Sequence, residues 1–466
     1  MTTVTTLTRG VVGEDAQRVL SVIRQAGGRP MLVGGCVRDA ILHPGQPAKD
    51  IDVEVYGLPD FGQLAAALAG SGFTVNEVGV SFGVLLVRAG TTAMDISLPR
   101  RDSKTGAGHR GFTVTPDTTL GFAEASSRRE HTIGALMADP VTGEVIDCHG
   151  GLADLASGVL RHIGAAFTED PLRVLRAVQF AARFSFRLAP ETAALCRTIV
   201  GTCSELATER VWGEFWKLGV MGKDITAGLA VLEQTGWERH FPPLAILHAV
   251  PQDPEWHPEG DVHIHSGLAA DQAARLADEG GLTGEDRFVV VMAALAHDFG
   301  KVTHTQRLGA RIISHGHAEA GVEPARAFLR FIGCPEGVTA RILPLVREHM
   351  NCFGQPAKPA VRRLVRRLVP ATLTELALVC AADAKGRGDP DAWSTADAWF
   401  ELGHDLQVTE RPPKGLLTGD HLIAAGMTPG PAFRPLLAAA LEAQDAGEFD
   451  DEAAALRWLE AHMEVA

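Results

Sequence analysis

The 466-residue chain lacks the features of several large protein classes. Its seven cysteines are odd in number and scattered, and no two form a CxxC pair, so neither a disulfide framework nor a zinc ribbon is indicated. The longest uninterrupted apolar run, Phe288 to Ala296, is about half as long as a bilayer crossing requires. Met1 to Gly10 also lack the apolar core of a secretion signal. We therefore expect a cytoplasmic protein without a membrane partner.

Positive charge is also scarce, with 43 Lys and Arg against 57 Asp and Glu and a formal net charge of −14. This balance argues against a protein that coats nucleic acid indiscriminately through phosphate contacts, but RNA can still bind at a local basic site. A basic cluster late in the chain is either such a site or a solvated helix face. The cluster comprises Lys358, Arg362, Arg363, Arg366 and Arg367.

The composition indicates folded domains, since hydrophobic residues make up 46% of the chain and the mean hydropathy is +0.06. The N-terminal part alternates helical and strand patterns, whereas strand signals nearly vanish after Ala153. The predicted strands lie at residues 30–33, 51–56, 83–87 and 93–98, and helices follow at 172–184, 191–200, 210–218, 436–446 and 452–463. We predict an α+β fold in which a mixed α/β head precedes all-helical domains. The predicted domains are a head at 12–155, a helical neck at 156–245, a histidine-rich domain at 255–400 and a helical tail at 410–466, with a proline-rich linker at 242–260.

Three acidic residues alternate with apolar ones in the second predicted strand. Asp50, Asp52 and Glu54 fall at i, i+2 and i+4, so on a strand they project from one face. Adjacent carboxylates repel each other, and a divalent cation such as Mg²⁺ relieves that repulsion through hard oxygen ligands. An acidic edge strand without function is the simpler interpretation of this pattern taken alone.

The segment upstream changes that balance, because an apolar strand there ends in Gly34 and Gly35 and is followed by a helix start with Arg38. Glycines permit close backbone approach, and a helix N-terminus with an arginine offers donors to phosphate oxygens. A triphosphate beside metal-bound Asp50 and Asp52 indicates nucleotidyl transfer. Asp95 or Glu54 would supply a third carboxylate.

Two further groups of residues carry chemistry. Asp170 precedes Pro171 as a helix cap would, yet Arg173 lies one turn on, so an acceptor and a forked donor can both meet the Watson–Crick edge of a base. Histidine is dense between residues 257 and 317, where His297-Asp298 follows the apolar helix. Adjacent ligands at a helix end can converge on one ion with partners from other helices, and the candidates are His265, His315, His317, His349 and Asp383.

These motifs carry a resemblance to a known family. GGCVRD at 34–39 followed by DID at 50–52 resembles the first signature of the bacterial class II tRNA nucleotidyltransferases (CCA-adding enzymes) and poly(A) polymerases, with heads of the DNA polymerase beta type. Residues 100–112 resemble the family's flexible loop, 128–136 its RRDFTINA motif, and 169–173 its EDxxR motif. The second motif departs from the pattern at Glu130, His131 and Gly134. The order H…HD…D resembles the HD phosphohydrolases, which some family members carry as a C-terminal fusion.

The resemblance implies an enzyme that adds C, C and A to the 3′ end of tRNA from CTP and ATP without a template, using Mg²⁺ on the catalytic residues Asp50 and Asp52. It implies nucleotide binding by Gly34, Gly35, Arg38, Arg129, Asp170, Arg173, Arg176 and Gln179. In the 255–400 domain it implies a divalent metal of unknown identity on His265, His297, Asp298 and Asp383, with His317 and His349 serving a second metal or the phosphate. Such a domain would hydrolyse phosphoesters in the repair of tRNA ends.

Two alternatives remain open from sequence. One is a poly(A) polymerase or a partial enzyme that adds only CC or only A. The other, from a different class, is an HD phosphohydrolase whose head is an inactive RNA-binding module. The sequence leaves the oligomeric state undetermined.

Overall fold

The computed structural model describes residues 7, 12–46, 48, 50–58, 61–76, 84–104, 112–352, 354–389, 394 and 396–463. The chain divides into two compact units, one formed by Met1–Val211 with Ala230–Trp237 and the other by Trp212–Leu229 with Glu238–Ala466. The first unit is mixed α/β and the second is almost entirely helical. The predicted α+β fold is therefore confirmed, while the four predicted domain boundaries stay a prediction.

The first unit begins with a head built on one sheet. Its elements are α1 (Glu14–Gln25), β1 (Arg29–Val33), α2 (Gly35–Leu42), β2 (Ile51–Tyr56), α3 (Phe61–Gly70), β3 (Thr74–Asn76), β4 (Val84–Ala89), β5 (Thr92–Ser97), β6 (Arg100–Lys104), β7 (Phe112–Pro116), α4 (Phe122–Ser126), β8 (Met137–Ala138) and β9 (Val145–Ile146). The four predicted strands correspond to β1, β2, β4 and β5; Gly83 lies outside the described residues. The predicted flexible loop falls on the antiparallel pair β6 and β7, and its residues 105–111 are likewise not described.

The head sheet has the strand order β3-β4-β5-β2-β1-β8-β9. β2 runs parallel to β5, and β1 pairs antiparallel with both β2 and β8. Ile51, Val53 and Val55 are buried in the core, as their alternation with acidic residues predicts. The apolar face of α1 is buried as well. This packing fixes β2, so the acidic residues that alternate with its core residues have defined positions.

The rest of the first unit is mainly helical. It contains α5 (Gly151–Ser157), β10 (Val159–Leu160), α6 (Leu172–Phe184), β11 (Arg187–Leu188) and α7 (Pro190–Thr198), and its end shares α8 (Thr208–Met221) and α9 (Ile225–Thr235) with the second unit. Helix α6 has the predicted bounds, and most of its residues are buried. Its arginines therefore project from the narrow exposed stripe of an otherwise apolar helix.

The second unit is built around a helix that is buried over most of its length. Every residue of α12 from Arg287 to Ala296 is buried, which explains why this segment is the longest apolar run of the sequence. Among the described residues, no helix combines the length and apolarity that a membrane crossing requires. The elements are α10 (Pro242–Ala245), α11 (Val262–Glu279), α12 (Gly284–Ala296), α13 (Lys301–His304), β12 (Gln306–Leu308), β13 (Arg311–Ile313), α14 (His317–Ala320), α15 (Val322–Phe331), α16 (Glu336–Glu348), α17 (Lys358–Leu368), α18 (Leu373–Lys385), α19 (Ala396–Asp405), α20 (Gly419–Ala424), α21 (Phe433–Ala446) and α22 (Glu452–Met463).

The late basic cluster lies on α17 and is largely engaged within the chain. Arg366 makes two hydrogen bonds to the buried carboxylate of Asp445, at 2.6 and 2.9 Å. Arg362 donates to a backbone carbonyl of α21, and Arg367 pairs with Glu348 at 3.0 Å. The structure therefore favours a structural role for these arginines over an RNA-binding one, because guanidinium groups already paired with carboxylates are poor phosphate donors.

Candidate functional site

Three carboxylates meet at the centre of the head sheet. Asp52 on β2 and Asp95 on β5 are direct partners in the parallel register, and Asp50 immediately precedes β2. Burial raises the pKa of the Asp52 carboxyl; the positive charge of Arg129 opposes the rise, and Asp95 and Asp50 add to it. We call Asp50, Asp52 and Asp95 the carboxylate site. Hard oxygen ligands clustered in this way fit a divalent cation.

Glu54, the third acidic residue of β2, is not part of this site. Its side chain is fully buried, pairs with Arg128 at 2.7 Å and accepts a hydrogen bond from the Tyr56 hydroxyl. A buried carboxylate that is satisfied by an arginine and a phenol is a structural group. Of the two candidates for the third carboxylate, the geometry favours Asp95.

Gly34 brings the backbone close to the carboxylate site. Its φ is +74°, a conformation that favours glycine, and an added Cβ would lie 2.8 Å from Nη1 of Arg129 and 3.7 Å from Oδ2 of Asp52. Helix α2 starts at the next residue, Gly35. The two predicted glycines, the helix N-terminus and Arg129 thus lie beside Asp52, which is the arrangement that a phosphate group requires.

Arg38 is placed differently from the other predicted phosphate ligands. Only 5% of it is exposed, its guanidinium pairs with Asp39 at 2.7 Å, and it lies over the rings of Phe180 and Phe184. Asp39 is also paired with Arg183 at 3.1 Å. These contacts hold α2 against α6, so the structure gives Arg38 a structural role, and phosphate binding by this residue stays a prediction without geometric support.

The predicted base-binding residues lie at the start of α6. The helix begins at Leu172, whose backbone N–H donates to Oδ1 of Asp170 at 3.1 Å, so Asp170 caps it from one residue further away than predicted. The same carboxylate receives two hydrogen bonds from Arg210, at 2.7 and 3.2 Å. Asp170 is therefore paired with Arg210 rather than with Arg173.

Arg173 connects α6 to the second motif. Its two terminal nitrogens donate to the backbone carbonyls of Ala166 and Arg128, at 2.8 and 2.9 Å. One turn on, Arg176 pairs with Glu130 at 2.6 Å. Gln179 is buried, and its amide nitrogen has no hydrogen-bond partner among the described residues. The four predicted base-binding positions thus lie just before α6 and along it, and this helix is tied to the residues next to Arg129.

In the second unit, a histidine cluster gathers six residues from five segments. Asp298 is central to it: Oδ2 lies 3.2 Å from His297 Nε2, and Oδ1 lies 3.1 Å from His317 Nε2. Nε2 of His265 lies 3.1 Å from Asp383 and 3.7 Å from Asp298. The histidine cluster consists of His265, His297, Asp298, His317, His349 and Asp383, so all four predicted ligands and both predicted auxiliary histidines come together.

Three of these histidines are held in one tautomer. The Nδ1 atoms of His297, His317 and His349 lie 2.6 to 2.7 Å from the backbone carbonyls of Ala294, Ser314 and Val346, each three residues earlier. Nδ1 therefore carries a proton, and in the neutral form of each ring Nε2 presents a lone pair to the cluster. Nε2 of His317 and Nε2 of His349 are only 3.1 Å apart. Lone pairs this close repel unless a proton or a cation lies between them, so the donor set fits a divalent metal.

Charge in the cluster is balanced by buried cations. Burial disfavours ionised Asp298, but His297 and Lys301 outweigh it and hold the pKa of this carboxyl well below its usual range. Burial likewise disfavours a charged His265, yet Asp383 and Glu259 raise the pKa of its imidazole to about 9. Lys301 Nζ lies 2.7 Å from Asp298. Both carboxylates are therefore ionised at neutral pH and available to a cation.

A cavity of about 780 Å³ lies next to the histidine cluster. His317 belongs to both, and Lys301, which lines the cavity, lies 2.7 Å from Asp298, so the cavity reaches the cluster. Its rim carries Trp256, which is 59% exposed, and the exposed residues Arg311 and His315. The cavity can therefore hold a phosphoester with its phosphate near the cluster and an aromatic group against Trp256.

Glu238, His248 and His263 form another group of potential metal ligands. Nε2 of each histidine lies 2.7 to 2.8 Å from the Glu238 carboxylate, and the two rings are stacked at 3.7 Å with an interplanar angle of 22°. Lone pairs lying in nearly parallel planes do not converge on one ion. This group is better described as two imidazoles that donate to one carboxylate.

Comparison with known proteins follows this division of the chain. Residues 31–161 match the poly A polymerase head domain, and residues 262–387 match the HD domain. The chain is 38% identical over 423 residues to the multifunctional CCA protein of Xanthomonas campestris pv. campestris (strain B100), covering 88% of this chain and 96% of the relative. It belongs to the multifunctional CCA protein family. A second member, from Xylella fastidiosa (strain M23), is 37% identical over 374 residues, which are 78% of this chain and 85% of the relative.

Solved structures share the fold of this CCA protein family member. The Bacillus stearothermophilus CCA-adding enzyme in complex with CTP matches with a TM-score of 0.64 at 21% identity, covering 97% of this chain and 98% of its own. The Thermotoga maritima CCA-adding enzyme complexed with tRNA matches with a TM-score of 0.54 at 18% identity, covering 96% and 94%. The chain is therefore a nucleotidyltransferase with an HD domain, and domains of both kinds depend on divalent metal ions.

The structure accounts for the departures of this CCA protein family member from the expected second motif. Glu130 keeps the negative charge of the usual Asp and uses it to pair with Arg176. His131 is fully buried, with the rings of Phe167 and Phe180 against it edge-on. A Cβ at Gly134 would meet open space within 4 Å, so no neighbour forbids a larger residue there. The departures therefore leave the carboxylate site intact.

Two residues near these sites were not found from sequence. Lys301 carried a local signal, since it lies one turn after Asp298 and so faces the same side of the chain. Arg210 carried none, because it is remote in sequence from Asp170 and meets it only through the fold. Neither residue forms part of the motifs that the resemblance used.

Replacing His131 with phenylalanine should stabilise the head, because neither ring nitrogen has a hydrogen-bond partner in the described part of the chain. We expect a gain of about 1–2 kcal/mol in the free energy of unfolding, the usual scale for removing one unsatisfied buried polar group. Hydrogen exchange of head peptides in increasing urea measures this gain. His149→Phe is a matched control at a partly buried histidine whose ring is already hydrogen-bonded to Ser126.

The same variant should change the pH dependence of stability. Burial lowers the pKa of His131 to about 4, below the 6.5 of a free imidazole. The unfolded chain therefore binds a proton that the folded head does not, and wild-type stability falls as the pH drops from 6.5 towards 4. His131→Phe should lose part of this decline; an unaltered slope would show that His131 is protonated in the folded head.

Proposed function

We propose that this protein adds C, C and A to the 3′ end of tRNA from CTP and ATP, without a nucleic-acid template and in the cytoplasm. Its curated relatives bear the name multifunctional CCA protein, and CCA-adding enzymes of the same fold have been solved with CTP, with ATP and with tRNA. The observation that carries the proposal is the pairing of Asp52 with Asp95 beside Gly34 and Arg129. A triphosphate placed there has its phosphates against the backbone and its reacting phosphorus near the carboxylates.

Asp50, Asp52 and Asp95 would hold Mg²⁺, since all their donors are carboxylate oxygens. When bound, the metal would favour ionisation of the attacking hydroxyl and stabilise the pyrophosphate leaving group. Arg129 would pair with phosphate oxygens that approach Asp52, because its guanidinium and that carboxylate both lie next to Gly34. The chain thus orients the triphosphate with a rigid glycine turn and one guanidinium.

Base selection would fall to Asp170 and Arg173. The carboxylate accepts from an exocyclic amine, which both cytosine and adenine carry, and the guanidinium donates to a ring nitrogen or a carbonyl. The backbone contacts of Arg173 use two of its five N–H groups and leave others for a base. Arg176 and Gln179 would line the same face one and two turns on.

Single-nucleotide incorporation tests the proposal. tRNA lacking its 3′ end is incubated with CTP alone, with ATP alone and with both. We expect two C with CTP and a single further A once ATP is present. Long A tracts would identify a poly(A) polymerase, and arrest after CC or addition of A only to tRNA ending in CC would identify a partial enzyme.

Replacing Arg210 with methionine should raise the KM for CTP and for ATP about tenfold, because the Asp170 carboxylate loses the two hydrogen bonds that hold it. Both nucleotides should be affected alike, since each uses Asp170. Steady-state incorporation on trimmed tRNA measures the two constants. Arg187→Met, at an exposed arginine bonded to a backbone carbonyl in the same unit, should leave both constants unchanged. If the KM values of the Arg210 variant for CTP and ATP equalled those of the wild type, Asp170 would need no such support.

We also propose that the HD domain hydrolyses phosphoesters. Support comes from the Nε2 atoms of His297 and His265, which lie within 3.2 Å of the Asp298 and Asp383 carboxylates beside the cavity. His265, His297, Asp298 and Asp383 would hold the divalent metal, which when bound would activate a water molecule for attack on phosphorus. Trp256 and Arg311 at the rim would favour a phosphoester that also carries a base and a second negative charge.

A further inference from the structure

His265 differs from the other histidines of the cluster in what its Nδ1 atom meets. His297, His317 and His349 each place Nδ1 against a backbone carbonyl of their own segment. Nδ1 of His265 instead lies 2.7 Å from Oε1 of Glu259, and its Nε2 points to Asp383. This histidine therefore takes its orientation from a side chain that belongs to no part of the H…HD…D motif.

Glu259 is held in place for this contact. It lies in the loop before α11, and only 4% of its side chain is exposed. The same oxygen accepts a hydrogen bond from Nδ1 of His257 at 2.8 Å, and the His257 and His265 rings meet edge to face at 4.6 Å. A carboxylate so shielded from water and approached by two imidazoles is held in one position, so it can in turn fix the ring that it contacts.

The contact determines which nitrogen of His265 faces the cluster. A negatively charged oxygen 2.7 Å from Nδ1 attracts a proton to that nitrogen, so a neutral His265 is favoured in the form that is protonated at Nδ1. Nε2 then faces Asp298 and Asp383, at 3.7 and 3.1 Å, and is the nitrogen that would bind a metal in the neutral form of the ring. A carboxylate on the far nitrogen of a ligating imidazole also increases the basicity of the near one.

We propose that Glu259 is a positioning residue of the HD metal site, which fixes the tautomer and the ring orientation of His265. The inference rests on the proposed metal binding by the histidine cluster. His257 supports the same carboxylate from the side of the cavity, to whose lining it belongs. Substitution of Glu259 should weaken metal binding 10- to 100-fold, as is usual for residues that support a metal ligand. The ligating side chains themselves would stay in place.

Titration of the full-length protein with Co²⁺ tests this inference through visible absorption, which reports nitrogen coordination. Excess Mg²⁺ occupies the all-oxygen carboxylate site of the head. Glu259→Ala should raise the Kd for Co²⁺ about 10- to 100-fold. Glu259→Gln keeps an acceptor oxygen, so its Kd should lie between those of Glu259→Ala and the wild type. Glu255→Ala, at an exposed carboxylate of the same loop, is the matched control and should bind like wild type.

The outcomes separate the inference from the function on which it rests. Wild-type protein that binds no Co²⁺ would refute the metal site itself. Wild-type protein that binds Co²⁺ while Glu259→Ala binds it equally well would overturn the role of Glu259 alone. Circular dichroism checks the fold of each variant, and if the alanine variant does not fold, an unchanged Kd and absorption spectrum in the isosteric Glu259→Gln variant would count against the role.

Discussion

Replacing Asp52 with alanine should lower nucleotide addition by roughly 10³-fold or more, about 4 kcal/mol of transition-state stabilisation. Asp52 is the one carboxylate that lies in register with Asp95 and also approaches Arg129, so its removal separates the metal ligands from the phosphate-binding side. Asp50 and Asp95 alone would hold a cation weakly. Single-turnover incorporation of labelled CTP into trimmed tRNA measures the loss.

Two controls make this result specific. Glu14→Ala, at an exposed carboxylate on α1, should leave addition unchanged. Phosphoester hydrolysis by the Asp52 variant should also be retained, since the histidine cluster belongs to the other compact unit. If the variant still added nucleotides at a tenth of the wild-type rate, addition would not depend on this site. The alternative of a phosphohydrolase with an inactive RNA-binding head predicts instead that Asp52→Ala leaves all measured activity intact while His297→Ala abolishes it.

Replacing His297 with alanine should reduce phosphoester hydrolysis by roughly 10³-fold and leave CCA addition intact. Nε2 of His297 has no hydrogen-bond partner within the described ranges, and it lies 3.2 Å from Asp298 and 3.9 Å from Asp383. Loss of this nitrogen removes a ligand and leaves two buried carboxylates with less positive charge. Release of p-nitrophenol from p-nitrophenyl phosphate and bis(p-nitrophenyl) phosphate measures the effect.

The matched control is His404→Ala, at an exposed histidine of α19 in the same unit. It should hydrolyse both esters at the wild-type rate. Metal content after dialysis provides a second measurement, because His297→Ala should retain less divalent metal than wild type. Hydrolysis by His297→Ala at an unchanged rate would mean that the cluster is structural, and its histidines would then serve only to stabilise the domain.

Sequence patterns predicted those parts of the fold that depend on local periodicity. The bounds of β2 and α6 follow from alternation of period two and from the helical period, and both agree with the structure. The pairing of β2 with β5 decided between Asp95 and Glu54, and it could not be read from either strand alone. Parallel pairing depends on how the chain crosses over, which no short window contains.

Long side chains were the least predictable part of both sites. Arg38 was expected at a phosphate but pairs with Asp39, and the arginines of α17 were candidates for RNA but hold α21 and α16. An arginine can reach several ångströms in many directions, so its partner is set by whichever carboxylate the fold brings near. Aspartates and histidines have less reach, and those of the histidine cluster lie together as the sequence predicted, whereas Asp170 pairs with Arg210.

The parallel register of β2 and β5 has a consequence for biosynthesis. A nascent chain that has emerged only as far as β4 already contains Asp50 and Asp52, but its centre lacks the opposing acid on β5. Assembly of the carboxylate site thus awaits a strand that arrives late and inserts between two earlier ones, β4 and β2. A truncated product that ends before β5 would accordingly lack one of the three carboxylates that we propose as magnesium ligands.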